Sequence, residues 1–216
     1  MPPTIAVNIE TIHKISDVGI AFHNSAHFEL LCAGIGYRPS PESTPEIEIL
    51  WREGPTHAEE FQILANISNL LNNREFETLL TFNGAKFDIR HLQGRAKLVA
   101  DLTGQQKLLG AMHRALETET HRDLRQDIIL EDGEQMWLNE ALEAYTDEQL
   151  PSLSWEGDPF DRRRLSELGE EYLRYRAGLN DTAESRGTQL EDLLETYVTS
   201  RTEPLFELRD ALGNRE

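Results

Sequence analysis

Thr78-Leu79-Leu80-Thr81-Phe82 is a compact apolar run, and Asn83-Gly84-Ala85-Lys86-Phe87-Asp88 follows it with a turn signal. Leu92, Ala96 and Val99 then share one stripe at helical spacing, so the stretch predicts a strand, a turn and a helix. Asp88 falls at the carboxyl end of that strand, where α/β sheets collect their ligands. Upstream, Ile5 to Ile9 reads as a first, buried strand, and Phe28 to Tyr37 with Glu46 to Trp51 as an antiparallel pair. The prolines at 39, 41 and 45 keep the pair's connection irregular. Thr56 caps a helix over 56–73, whose Phe61, Leu64, Ile67, Leu70 and Leu71 recur on one face.

Downstream the pattern turns helical. Helices are expected over 105–116, 136–145, 165–175 and 182–197, with short extended pieces at Asp123-Leu124 and Ile128 to Leu130 and a turn-rich connection over 150–161. Strands in the first half and helices in the second predict an α/β fold with a mixed sheet, spanning 1–200 as one domain and leaving 201–216 as a C-terminal tail.

Composition sets the outer limits. The chain has 216 residues, with 39 acidic against 21 basic side chains for a net charge of −18. At 38% hydrophobic it has enough apolar content for a real core. Only four basic residues are Lys, leaving 17 Arg, and an acid-rich, lysine-poor surface is expected of a halophilic protein. Such charge repels nucleic acid at low salt, an objection that molar salt screens, so the charge does not select the ligand. No apolar run approaches the ~18 residues of a membrane span. The opening MPPTIAVNIETIHK lacks the basic and apolar regions of a signal peptide, so a cytoplasmic location is expected. The single cysteine, Cys32 in FELLCAGIG, reads as a buried small hydrophobe.

Strand alternation sends Asn8 and Glu10 to the same face of the first strand. Two polar groups there could hydrogen-bond a neighbouring loop or hold a metal. Asp88 alone could be a helix-capping carboxylate. Taken together, Asn8-Ile9-Glu10 and Asn83-Gly84-Ala85-Lys86-Phe87-Asp88 resemble the first and second motifs of the DEDD-type 3′–5′ exonucleases. TFNGAKFDIRHLQGRA is similar to predicted exonucleases related to the proofreading domain of family-B DNA polymerases. The resemblance implies a ribonuclease H-like sheet flanked by helices and four carboxylates holding two Mg²⁺ or Mn²⁺ ions. Such ions, about 3.5–4 Å apart, clamp the attacking and leaving oxygens of an in-line displacement.

It further implies metal-ligand roles for Glu10, Asp88 and Asp181, with Asn8 at the position of an expected Asp. Contacts to a DNA strand or its 3′ end fall to Thr11, Asn83, Phe87 and Arg176, and Asp123 matches a short Asp-Leu element between the motifs. In the family a Tyr four residues before the last acid, or a His five before it, positions water; here those positions are Ala177 and Arg176, leaving Tyr175 or Tyr172 to serve. Asn8 keeps the shape of Asp but removes one charge, which lowers metal affinity. The chain therefore reads as an attenuated or inactive exonuclease, or as a non-catalytic nucleic-acid-binding or partner-recruiting module on the same fold.

Other candidates are weaker. His23 and His27 lack a third ligand, Arg162-Arg163-Arg164 suits ion pairs with nearby glutamates or phosphate contact, and Trp51, Trp137 and Trp155 suit packing.

Overall fold

The computed structural model describes residues 2–13, 20–117, 120–133, 135–179 and 184–213. Its centre is a five-stranded mixed sheet in the order β3-β2-β1-β4-β5. Antiparallel pairs join β1 (Thr4–His13) to β2 (Phe28–Arg38) and β2 to β3 (Glu46–Trp51). Parallel pairs join β1 to β4 (Thr78–Thr81) and β4 to β5 (Thr120–Asp123).

Alternation along β1 divides the core in two. Ile5, Val7 and Ile9 pack with Leu30, Ala33 and Ile35 beneath α1 (His57–Asn73), α2 (Asp88–Thr103) and α3 (Lys107–Leu116). On the other face, Ala6 and Leu80 meet α4 (Leu124–Asp132), α5 (Leu138–Tyr145) and α8 (Leu205–Gly213). Ile12 and Cys32 on that face meet α6 (Arg162–Arg176) and α7 (Glu184–Thr202). A β-bulge adjusts the register: Glu10 pairs with Cys32 but Thr11 pairs with Leu30, so Leu31 is the extra residue and joins Cys32 in the α6/α7 core. A short hairpin, β6 (Ser154–Trp155) with β7 (Asp158–Pro159), lies within the expected turn-rich connection.

Two expectations need correction. Ile128 to Leu130 is part of α4, because Leu124 and Ile128, four apart, bury together against the sheet. The expected C-terminal tail over 201–216 is, over its described residues 201–213, part of the folded body: α7 continues to Thr202, and α8 buries Leu205, Phe206, Leu208 and Leu212 in the core. Arg38 of β2 locks α8 in position through paired bonds to Asp210 at 2.7 and 2.8 Å.

The sheet opens where function is expected. Pairing of β1 with β4 ends at Ala6↔Leu80, and β1 continues to His13 while the chain after β4 turns away. The β4-side edge of Val7 to Thr11 is left for side chains to fill.

Candidate active site

Asp88, the first residue of α2, fills that edge: its Oδ1 accepts the Ile9 N–H at 2.9 Å, a bond that β4 would have taken in a longer ladder. The carboxylate therefore reaches β1 between Asn8 and Glu10. These two share the face occupied by Ala6 and Ile12, and the Asn8 Nδ2 lies 3.4 Å from Glu10 Oε1. Glu10 and Asp88 are only 4% and 5% exposed, while Asn8 is half-buried. The fold thus brings Asp88 beside the strand that carries Asn8 and Glu10, about 80 residues away in sequence.

The turn before Asp88 is clasped from β5. Asp123 accepts the Asn83 N–H at 2.7 Å and the Ala85 N–H at 3.1 Å, which makes it a brace for the turn. The brace holds Asn83 at φ 66°, a left-handed conformation that Asn tolerates better than most residues. Arg125 Nη1 donates to Asn83 Oδ1 at 3.2 Å. A guanidinium only donates, so the Asn83 amide nitrogen faces the opposite way. Phe87 packs at a tilt against His91 with ring centres 4.4 Å apart and lies 5.9 Å from buried Phe28.

The remaining sequence candidates fall elsewhere. Thr11 is buried, and alternation sets it on the Ile9 face, away from Asn8 and Glu10. α6 starts beside β1, where Ser166 Oγ accepts the His13 N–H, and crosses to β3, where Tyr172 packs on Trp51 at 5.0 Å. That path carries Tyr175 and Arg176 away from the cluster. Tyr175 lies against Gly187 of α7, and Arg176 is bound to Glu53 beyond β3 and to Glu191. Burial pushes the Tyr172 hydroxyl well above its ordinary range. Asp181 lies outside the described residues. Cys32, opposite Glu10, is buried, and its thiol is pushed well up by burial and by the Glu10 charge, so it stays protonated.

Three comparisons bear on this arrangement. The sequence profile of the exonuclease domain of DNA polymerase family B matches residues 32–123, under half of the chain but including the whole Asn83–Asp88 turn and its Asp123 brace. The fold is similar to that in the "Structure of the family B DNA polymerase from the hyperthermophilic archaeon Pyrobaculum calidifontis", with a TM-score of 0.66 at 14% identity. That match covers 98% of this chain and 24% of the polymerase, so the chain spans about a quarter of the polymerase's length. The mixed five-stranded sheet flanked by helices is an α/β fold of the ribonuclease H-like kind. An "ExoI/SSB-Ct complex" also aligns over 95% of this chain and 43% of its own, at 13% identity, but its TM-score of 0.36 carries no weight. No curated protein matches by sequence. Among the described residues, no helix is long and apolar enough to cross a membrane.

The fold exposes a pair that sequence reasoning missed. Gly34 is the cross-strand partner of Asn8, and a Cβ there would lie 2.2 Å from Thr202 Oγ1 and 2.8 Å from Val198 Cγ1, so α7 rides directly over this part of the sheet. On α7, Tyr197 precedes Arg201 by four residues. The Arg201 guanidinium sits 3.6 Å from the centre of the buried Tyr197 ring. The sequence shows the pair as Tyr-x-x-x-Arg, which lacks an acid that would mark it as a metal-site motif.

A second acidic cluster lies apart from the motifs. Ligand atoms of Glu29, His57 and Glu60 all fall within 4.8 Å of one another. Arg52 binds Glu29 at 2.8 Å, and Arg95 binds Glu60 through two nitrogens at 2.8 and 2.6 Å. Glu60 Oε1 also accepts the Leu30 N–H. Two guanidiniums balance the two carboxylates, so the cluster is complete as a structural ion-pair network.

Proposed function

We propose that this domain receives the 3′ end of a DNA strand at Asn8, Glu10 and Asp88, and that it hydrolyses the terminal phosphodiester there in a divalent-metal-dependent, attenuated reaction. The observation that carries the proposal is the Ile9 N–H bond to Asp88, which draws two motifs distant in sequence into one oxygen-rich cleft at the carboxyl ends of β1 and β4.

The donor set suits a hard cation, since two carboxylates and an amide oxygen are what Mg²⁺ and Mn²⁺ take. Glu10 and Asp88 would hold such an ion with the Asn8 oxygen, and Asp181 is the proposed further ligand for a second ion. When bound, the metal supplies Lewis-acid stabilisation of the attacking and leaving oxygens. The protein's own contribution is positional. Asp88 is oriented by the backbone of β1, and Asn83 is fixed by Asp123 and Arg125 at the rim. Asn8 weakens the site because a neutral amide replaces a carboxylate in the ligand shell.

A second reading, a strand-binding or partner-recruiting module without catalysis, is favoured by Arg201 on α7. A cation at the spacing of the last acid adds to the charge lost at Asn8.

The test is degradation of a 5′-labelled single-stranded DNA oligonucleotide by the wild-type chain and by Asn8→Asp, in molar KCl with Mg²⁺ or Mn²⁺. The proposal expects 3′-to-5′ shortening, faster in Asn8→Asp by about two orders of magnitude, because the variant restores a charged ligand. If neither protein cuts while both bind the strand, the catalytic reading fails and the binding module stands.

A further inference from the structure

Trp137 is a large apolar side chain left 60% exposed, at the entry to α5. Its ring is not isolated: the Arg125 guanidinium lies 5.2 Å from its centre, within cation–π range. The same Arg125 reaches inward to Asn83 Oδ1, so Trp137, Arg125 and Asn83 form a continuous row from the surface to the candidate active site. The row sits at the carboxyl ends of β4 and β5, since Asn83 follows β4 and Arg125 is the second residue of α4 after β5.

Two features separate Arg125 from an ordinary surface arginine. It is half-buried in a strongly acidic chain, yet no carboxylate lies within ion-pair distance of it among the described residues. Its Nε is also buried with no hydrogen-bond partner. The neighbouring Asp123, which could have neutralised it, is spent on the backbone of the 83–85 turn. Among the described residues the positive charge therefore has no ion-pair partner, and it sits beside an open aromatic face.

We infer that Arg125 and Trp137 form a strand-gripping step, in which Trp137 stacks a base of single-stranded nucleic acid and Arg125 offers its charge to the adjoining phosphate while fixing Asn83. This rests on the proposed function, because the strand is the one whose end enters the site. Stacking requires unpaired bases and tolerates any sequence, so the step selects single strands over duplex.

The experiment is fluorescence anisotropy of a labelled oligothymidine of about 12 nucleotides, titrated with the full chain across about 0.1 to 1 M KCl. Trp137→Ala should weaken binding about tenfold and Trp137→Phe should restore most of it, as expected for a stacking contact. Arg125→Ala should reduce the salt dependence by about one counterion, whereas Arg125→Lys should keep that slope but bind more weakly. Binding should also quench indole emission in the wild type and much less in Trp137→Phe. Because Trp137 is exposed, its variants should melt with the wild type. If Trp137→Ala and Arg125→Ala bind like the wild type, this inference is overturned and the strand-end site survives. If the wild type binds no single strand even at low salt, both fall together.

Discussion

Two acidic clusters lie on either side of β1 and β2, and they differ in what answers their charge. Glu29 and Glu60 face Arg52 and Arg95 in a closed set of two anions and two cations, itself almost wholly buried. Asp88 is instead anchored by the Ile9 amide, and Asn8 offers Glu10 an amide contact, in a cleft where two parallel strands part. By distance alone the first cluster looks more like a metal site, since its three candidate ligand atoms lie within 4.8 Å. Counting the guanidiniums removes that impression for the first cluster, whose two carboxylates are matched by Arg52 and Arg95.

The largest effect expected from breaking this contrast is at Arg95. Arg95→Met leaves the buried Glu60 charge without its bidentate partner and should cost about 3–5 kcal/mol of stability, read from the urea midpoint. Added Mn²⁺ should recover none of it; recovery would make the Glu29–His57–Glu60 cluster a metal site after all.

A somewhat smaller effect separates the clusters by metal response. In Asn8→Asp, Mn²⁺ at 100 times its dissociation constant should raise stability by about 2.7 kcal/mol in thermal melts. The gain should persist in a His57→Ala background and vanish in Glu10→Gln. The opposite pattern would move the ion to the wrong cluster.

The smallest effect reads the Glu10 charge through its neighbour. Cys32 pairs with Glu10 across the strands, and both burial and the carboxylate hold its thiol well above the ordinary range. At pH 8 a thiol reagent should label the folded chain far more slowly than the denatured one. Glu10→Gln removes a negative charge that disfavours the thiolate, so labelling should quicken by about two- to threefold. No change would mean that the Glu10 charge does not reach Cys32.

The same physics explains what the sequence could and could not disclose. Thr78 to Asp88 was legible because strand, turn and helix are local, and Asn8 and Glu10 share a face because strand periodicity is fixed. The direction of a helix across a sheet is not local. Tyr175 and Arg176 stand near Asp181 in sequence, yet α6 carries them toward Glu53 and Gly187. Asp123 was visible as a motif residue, but its work as a brace for Asn83 and Ala85 depends on β5 lying beside β4. α8 escaped notice because polar residues and Pro204 interrupt the pattern after Tyr197, and because Arg209 sits among its buried leucines.

The docking of α8 has a consequence for how the chain reaches its native state. β1 is the central strand of the sheet, yet Ala6 on that strand is covered by Phe206 and Leu208, and Arg38 waits for Asp210. β1 leaves the ribosome long before its cover is synthesised, so one face of the nascent sheet stays open to solvent and to chaperones until residues 205–213 emerge. Such long-range closure makes for slow folding, and a chain cut short near residue 200 should collect as an aggregation-prone intermediate rather than a smaller domain.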